Sequence, residues 1–260
     1  FVDPFAEADP TAPDPSTPGV IPNLSSNPKK LLAKWGVEMA SRKVILDPSL
    51  AVNVNFGTPE GARKILYLPW LQLRPPHISL DSLFTRGLSV LNVGSAGSLQ
   101  VLTGSTTLKH QILLSTTENS GLMESQDIIK TGNPSNLFNK YEKDKKDHAI
   151  AIHVSGGSSK IRQVTSNNNS EHRTKVRMGN DNLDVLIIAD TDILSDRFWI
   201  DGRRFASSNE IQPISSNANF LLNAIELYGG GGELINLRNR GKFSRPFKLV
   251  EELRRKAESE

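Results

Sequence analysis

The chain has 260 residues, 37% of them hydrophobic and 23% charged, which excludes a disordered chain and leaves apolar surface for one large core or two modest ones. A net charge of +3, from 31 Lys+Arg against 28 Asp+Glu, gives no general electrostatic case for a nucleic-acid partner. Cysteine is absent, so disulfides, thiolate nucleophiles and cysteine-zinc sites are excluded, and no apolar run approaches the ~18 residues of a bilayer span.

The opening residues do not read as a signal peptide, and the start at Phe1 leads to the expectation of an excised or processed piece. Seven of the fifteen prolines fall within the first 28 residues, which makes 9–22 an extended surface segment. Asn27 and Pro28 then read as the cap and first position of a helix carrying Leu31, Leu32 and Trp35 and closed by Gly36. Strands are expected at 43–46, 51–56 and 64–73, the last with Pro69 marking an edge or a bulge. Residues 88–102 alternate across Gly94 and Gly97 as a hairpin or bent strand, and 108–115 and 149–155 continue the series. The apolar run at 184–190 suits a central strand covered on both faces. Residues 217–228 predict a helix ending at Gly229–Gly232, followed by a short strand at 233–237 and an amphipathic helix at 246–260.

This pattern predicts an α/β layered domain with a mixed, mostly parallel central sheet flanked by helices. Residues 1–26 form a Pro-rich extended segment, the stub of an upstream α/β unit. Residues 27–260 form one domain, with polar loops near 133–147 and 165–182.

Three groups of residues are candidates for chemistry. Asp190 and Asp192 close the apolar strand, where an α/β sheet commonly builds its site, and an Asp-x-Asp pair there can hold Mg²⁺ and supply a nucleophilic carboxylate. Haloacid-dehalogenase phosphatases open similarly but follow the second Asp with Gly-Thr, where this chain has Ile193 and Leu194. The reading of Asp190 and Asp192 as turn caps, with Ser195 and Asp196 starting a helix, is favoured. On that reading Asp192 or Asp196 accepts amides or pairs with Arg197 or Arg203, and Phe198 and Trp199 pack under the sheet. The glycines at 94–97 lack the third glycine of a dinucleotide fingerprint and the lysine of a phosphate loop. Gly-x-Ser-x-Gly is not formed around Ser155, and the five histidines show no metal-ligand spacing. The basic stretch at 238–256, including Arg238, Arg240 and Arg245, has eight cations against Glu251 and Glu252 and suits lipid head groups or an acidic partner.

Several segments taken together, Asp3-Pro4-Phe5 with Glu7, Trp35-Gly36, Leu68-Pro69-Trp70, the run Ala189-Asp190-Thr191-Asp192 through Asp196-Arg197-Phe198-Trp199, Asn219-Phe220-Leu221, and Arg238-Asn239-Arg240-Gly241 with Arg245-Pro246-Phe247, resemble one family. It is the auxiliary component of gliding-motility-type ABC transporters, the GldG-like proteins. The resemblance implies a membrane-anchored protein of the bacterial inner membrane, with this stretch on the periplasmic side and transporter membrane or ATPase subunits as partners. It places no catalytic residue, cofactor or metal on this chain. The expected function is therefore a non-catalytic interaction domain. The alternatives are a divergent metal-dependent hydrolase or phosphatase using Asp190 and Asp192, and a periplasmic ligand-binding module with a pocket lined by Tyr67, Trp70 or Trp199.

Overall fold

The computed structural model describes residues 1–9, 23–58, 61–104, 107–131, 133–157, 162–164, 175–177, 183–200 and 213–230. In chain order these form α1 (Lys29–Lys34), β1 (Val37–Leu46), β2 (Ala51–Thr58), β3 (Gly61–Leu73), β4 (Leu91–Gly94), β5 (Gly97–Val101), β6 (Leu108–Ser115) and β7 (Gly121–Glu124). After them come α2 (Ser125–Lys130), α3 (Leu137–Lys140), β8 (Ala149–Gly156), β9 (Arg162–Val164), β10 (Lys175–Arg177), β11 (Leu183–Ile188) and α4 (Asn217–Tyr228). The expected extended segment at 10–22, strand at 233–237 and terminal helix at 246–260 lie outside the described residues.

Every described strand pair is antiparallel. In the six-stranded sheet β1 lies between β5 and β7, and β8 is flanked by β6 on one side and β11 on the other. Ile152 of β8, for instance, is matched with Ile112 of β6 and with Ile187 of β11. A second sheet runs β2-β3-β4, and β9 and β10 pair as a separate ribbon. The β2–β3 register slips between Ala51, opposite Leu71, and Val52, opposite Tyr67, so the extra residues bulge around Pro69, as its missing donor requires.

The mostly parallel, helix-flanked sheet is thus overturned. Parallel neighbours need crossovers of a dozen or more residues, usually helical. Here α1, α2 and α3 have six, six and four residues, and α4 follows the last described strand. The run at 184–190 is also not the most buried strand. β11 pairs with β8 alone, and only its last two residues are buried, whereas all four residues of β4 are. A continuous apolar run reports cover on both faces; it carries no information on strand direction or on position within the sheet.

The core lies in three parts. Between the two sheets, Leu71, Leu91 and Val93 meet Ile45, Leu114 and Ile150, and α4 closes this layer with Phe220 and Ala224. On the opposite face of the larger sheet, Val2 and Leu32 of the N-terminal region cover Val37, Met39, Ile152 and Ile187. Under α2 and α3, Ile128 and Leu137 pack on Val44, Leu46 and Leu68. Asn27 does not cap α1. Pro28 takes the cap position, and Asn27 Nδ2 donates to the Met39 carbonyl instead.

Candidate functional site: an acidic junction between the sheets

The chain passes from the smaller sheet to the larger one through Ser95 and Ala96, between the end of β4 and the start of β5. Ser95 takes a φ of 50°, and its amide donates to the Pro69 carbonyl at the bulge. Against this corner β11 ends. The Gly97 amide donates to the Ala189 carbonyl, and Ala189 N–H in turn donates to Ile150. Residues 190–199 then fold as two short 3-10 turns, Asp192–Leu194 and Asp196–Phe198, where the sequence reading expected a helix start. The N-terminal residues come in on the other side, with Val2 N–H donating to the Ile188 carbonyl.

Three carboxylates fasten these segments together. Asp190, fully buried, accepts the Gly94 amide at 2.9 Å and the Ile193 amide at 3.1 Å, one on each oxygen. Asp192 accepts the amides of Glu7 and Ala8, both at 2.8 Å. Asp3 accepts Phe5 N–H at 2.7 Å on one oxygen, and the amide and hydroxyl of Thr191 at 2.7 and 2.6 Å on the other. Glu7 adds a fourth carboxylate, which accepts from the Ser95 hydroxyl and from Trp70 Nε1 at 3.1 Å. One oxygen from each of Asp3, Asp190 and Asp192 lies within 4.8 Å of the others, a donor set that in type suits a hard cation. All six of their oxygens, however, are aimed at amides or hydroxyls of the protein, so the cluster is built as a set of acceptors for backbone.

Burial raises all four carboxyls above their ordinary range. Asp3 is pushed up to about 6, chiefly by desolvation and partly offset by its bonds from Thr191 and Phe5. Asp190 lies well above its usual value, again through desolvation, with Asp3 and Asp192 adding repulsion. Glu7 and Asp192 are raised by burial and partly relieved by their hydrogen bonds and by the Arg197 charge. The Arg197 guanidinium sits 5.8 Å from the Trp70 ring centre.

Aromatic packing fixes the outer side of the junction. Trp70 meets Phe198 edge-on at 5.0 Å and Tyr67 at 5.4 Å. The Phe198 ring lies directly over Gly94, where an added Cβ would fall 2.2 Å from the ring's tip. That glycine, read from sequence as part of a hairpin or bent strand and as failing a nucleotide motif, is needed for this close approach. Gly94→Ala is expected to cost about 2 kcal/mol by forcing Phe198 out of its seat. Urea unfolding is the check, and a change below about 0.5 kcal/mol would mean that the ring relocates freely.

Residues 1–224 match the family model described as an ABC-type uncharacterized transport system, the ABC transporter auxiliary family. The chain belongs to this family. The match takes in the whole junction, from Asp3 to the 190–199 turns, and most of α4. No curated protein and no solved structure matches the chain. Membership assigns a transporter-associated role, with an ABC transporter as the partner system.

Within this auxiliary domain the sequence-predicted residues separate. Asp190 and Asp192 come together at the junction, Asp196 and Arg197 are exposed beside it, and Trp199 is half-buried. Arg203, Arg238, Arg240 and Arg245 lie outside the described residues. Tyr67 and Trp70 are bonded to Glu7 and packed on each other, and they do not line the apolar groove of about 390 Å³ beside α4.

The structure adds Asp3 and Glu7, whose partners lie up to 188 residues away. It also adds a chain from Ser98 through His148 to Asp144. Ser98 Oγ is 2.8 Å from His148 Nδ1, and His148 Nε2 is 3.0 Å from Asp144. This has the residue types of a hydrolase triad, but Ser98 and His148 are buried within the sheet, so no carbonyl can approach the hydroxyl. Burial lowers the His148 pKa against the opposing pull of Asp144, and the relay serves to satisfy polar groups inside the sheet.

Proposed function

We propose that this domain is a non-catalytic interaction module of a GldG-like, membrane-anchored auxiliary component of an ABC transport system. It works on the extracytoplasmic face of a bacterial inner membrane, against the transporter's membrane or ATPase subunits. Among the described residues no helix is long and apolar enough to cross a membrane, so this reading puts the anchor in other segments. The observation that supports it most is the use of the acidic motif. The carboxylates that a hydrolase would turn toward metal and substrate here bind the Thr191, Gly94, Ile193, Glu7 and Ala8 amides. A rigid body whose most distinctive motif is a fastening suits contact with partners better than turnover.

Co-purification from detergent-extracted membranes of the source cell tests the reading. Transporter subunits are expected to elute with the full-length protein and to be lost on charge reversal at Arg238, Arg240 and Arg245. Recovery in the soluble fraction free of those subunits would overturn it. So would Mg²⁺-dependent hydrolysis of a phosphate ester that disappears in Asp190→Asn.

A further inference from the structure

The short helix α1 covers only part of the larger sheet's face that carries Val37, Leu99 and Ile152. Leu32 points into that face. At the pitch of a helix Lys30 and Lys34 then stand on the opposite side, with Leu31 and Trp35 along one flank and Lys29 on the other. The three lysines are exposed, Leu31 is 44% exposed and Trp35 is half-buried. His110 Nε2 of β6 lies 2.9 Å from the Trp35 carbonyl, and the Leu102 amide donates to Gly36, so β5 and β6 both reach this end of the helix. Val101, opposite Val37, and Ile112, opposite Ile152, add apolar surface on the same face, 42% and 47% exposed.

The charge on this face has one sign. Among the described residues of α1, β1, β5, β6, β8 and β11 the acids are Glu38 and Asp184. Glu38 alternates with Val37 and Met39 and so turns to the other face. Asp184 does the same, bonding His153 and Tyr228 on the α4 side. Lys30 and Lys34 are left as neighbours at i, i+4, a like-charge spacing that weakens an isolated helix and that an anionic surface would relieve.

We propose that α1 and the sheet face beside it dock on an anionic lipid bilayer, with Leu31 and Trp35 entering the headgroup layer and Lys29, Lys30 and Lys34 on the lipid phosphates. The kind of cation selects this partner. All three are lysines, which protein–protein interfaces exclude in favour of arginine. On a bilayer the lysine stem lies along apolar surface while its ammonium stays at the phosphates, and each such lysine strengthens binding about fivefold. A tryptophan beside them suits the headgroup boundary, where its ring is half apolar and half wet. A second copy of this chain fits poorly, since pairing like faces would set one lysine row against the other. The docking uses the domain's own surface and stands independently of the transporter reading.

Co-sedimentation of the whole 260-residue chain with vesicles tests it, comparing equal parts of phosphatidylglycerol and phosphatidylcholine with phosphatidylcholine alone. Binding is expected to the anionic vesicles and is expected to weaken at high salt. The triple change Lys29→Gln, Lys30→Gln and Lys34→Gln is expected to weaken it about a hundredfold, and Leu31→Ser about tenfold, with urea unfolding unchanged in both. Should either variant unfold more readily, fluorescence of the otherwise unaltered chain is read instead. Brominated acyl chains are expected to quench its emission, and Trp35→Phe is expected to remove that quenching. No binding of the wild-type chain to anionic vesicles would overturn the proposal. So would binding that survives the triple change and is lost on charge reversal at Arg238, Arg240 and Arg245, which would give the lipid contact to the basic stretch. Co-purification of an acidic protein that depends on the three lysines, without vesicle binding, would overturn it in favour of a protein partner.

Discussion

Asp190→Ala is expected to destabilise the domain by about 3 kcal/mol, a larger loss than any surface change near the junction would bring. The carboxyl is fully buried, and its two oxygens take up the amides of Gly94 and Ile193. Alanine leaves both donors buried without a partner, each at about 1–3 kcal/mol, and opens a small cavity at the corner where the two sheets join. Part of the loss is returned, because the wild-type group sits where burial opposes its ionisation. Asp190→Asn separates these contributions. Its carbonyl oxygen can replace one acceptor, but its amide nitrogen confronts the other N–H, so a loss of about 1–2 kcal/mol is expected. Urea unfolding at fixed pH, with an unchanged m-value, is the measurement. If Asp190→Ala lies within about 0.5 kcal/mol of the wild type, the junction is not a fastening and the carboxylate is available for other chemistry.

Much of this architecture could be read from local pattern. The strand at 108–115 and the helix at 217–228 were expected at the bounds observed, because turn residues and periodicity delimit both. The bulge at Pro69 follows from proline's missing donor. Strand direction could not be read in this way. The apolar stretch that becomes β11 has Ile187 on one face, packed with Val2 and Ile152, and Ile188 on the other, packed with Phe220 and Ile150. Apolarity on both faces looked like a central parallel strand, yet here it is produced by an edge strand with a core beneath it and the N-terminal residues above. The junction was half legible. Asp190 and Asp192 stood out at a strand end, but whether they faced solvent or backbone depended on Asp3, Thr191 and Glu7. Those contacts join residues nearly two hundred positions apart and leave no trace in spacing. The Ser98–His148–Asp144 relay was silent for the same reason, being set by the registry of separate elements.

The stability of this domain is expected to carry a component that falls as pH rises from about 4 to about 7, and Asp3 is one source of it. Burial holds the Asp3 carboxyl at about 6 in the folded chain, against 3.8 for the ordinary group. Between those values the folded state binds a proton that the unfolded state has released, so the slope of unfolding free energy with pH is negative. The contribution is fully present below about 4 and lost once pH has risen through about 6. From these two values it amounts to about 3 kcal/mol. His148 acts in the opposite sense. Its folded pKa is lowered, so its contribution is present above the ordinary histidine range and is lost as pH falls through the folded value. Glu7, Asp190 and Asp192, whose carboxyls burial also raises, act in the same sense as Asp3, so the net profile of the wild type mixes all of these and a difference against Asp3→Asn reads the part that depends on Asp3. At pH 4.5 the variant is expected to be clearly less stable than the wild type, because its amide nitrogen only donates and must face either the Thr191 donors or the Phe5 amide, whereas both oxygens of the protonated carboxyl can still accept. The gap should narrow by about 2 kcal/mol by pH 7.5, where the wild type bears a buried charge and the variant does not. Exchange of the Phe5, Glu7 and Ala8 amides gives a local reading of the same change, since all three donate to Asp3 or Asp192. Parallel stability curves for the two proteins, with these amides exchanging alike at both pH values, would show that Asp3 ionises without strain and that the N-terminal segment is held by Val2 and its apolar contacts instead.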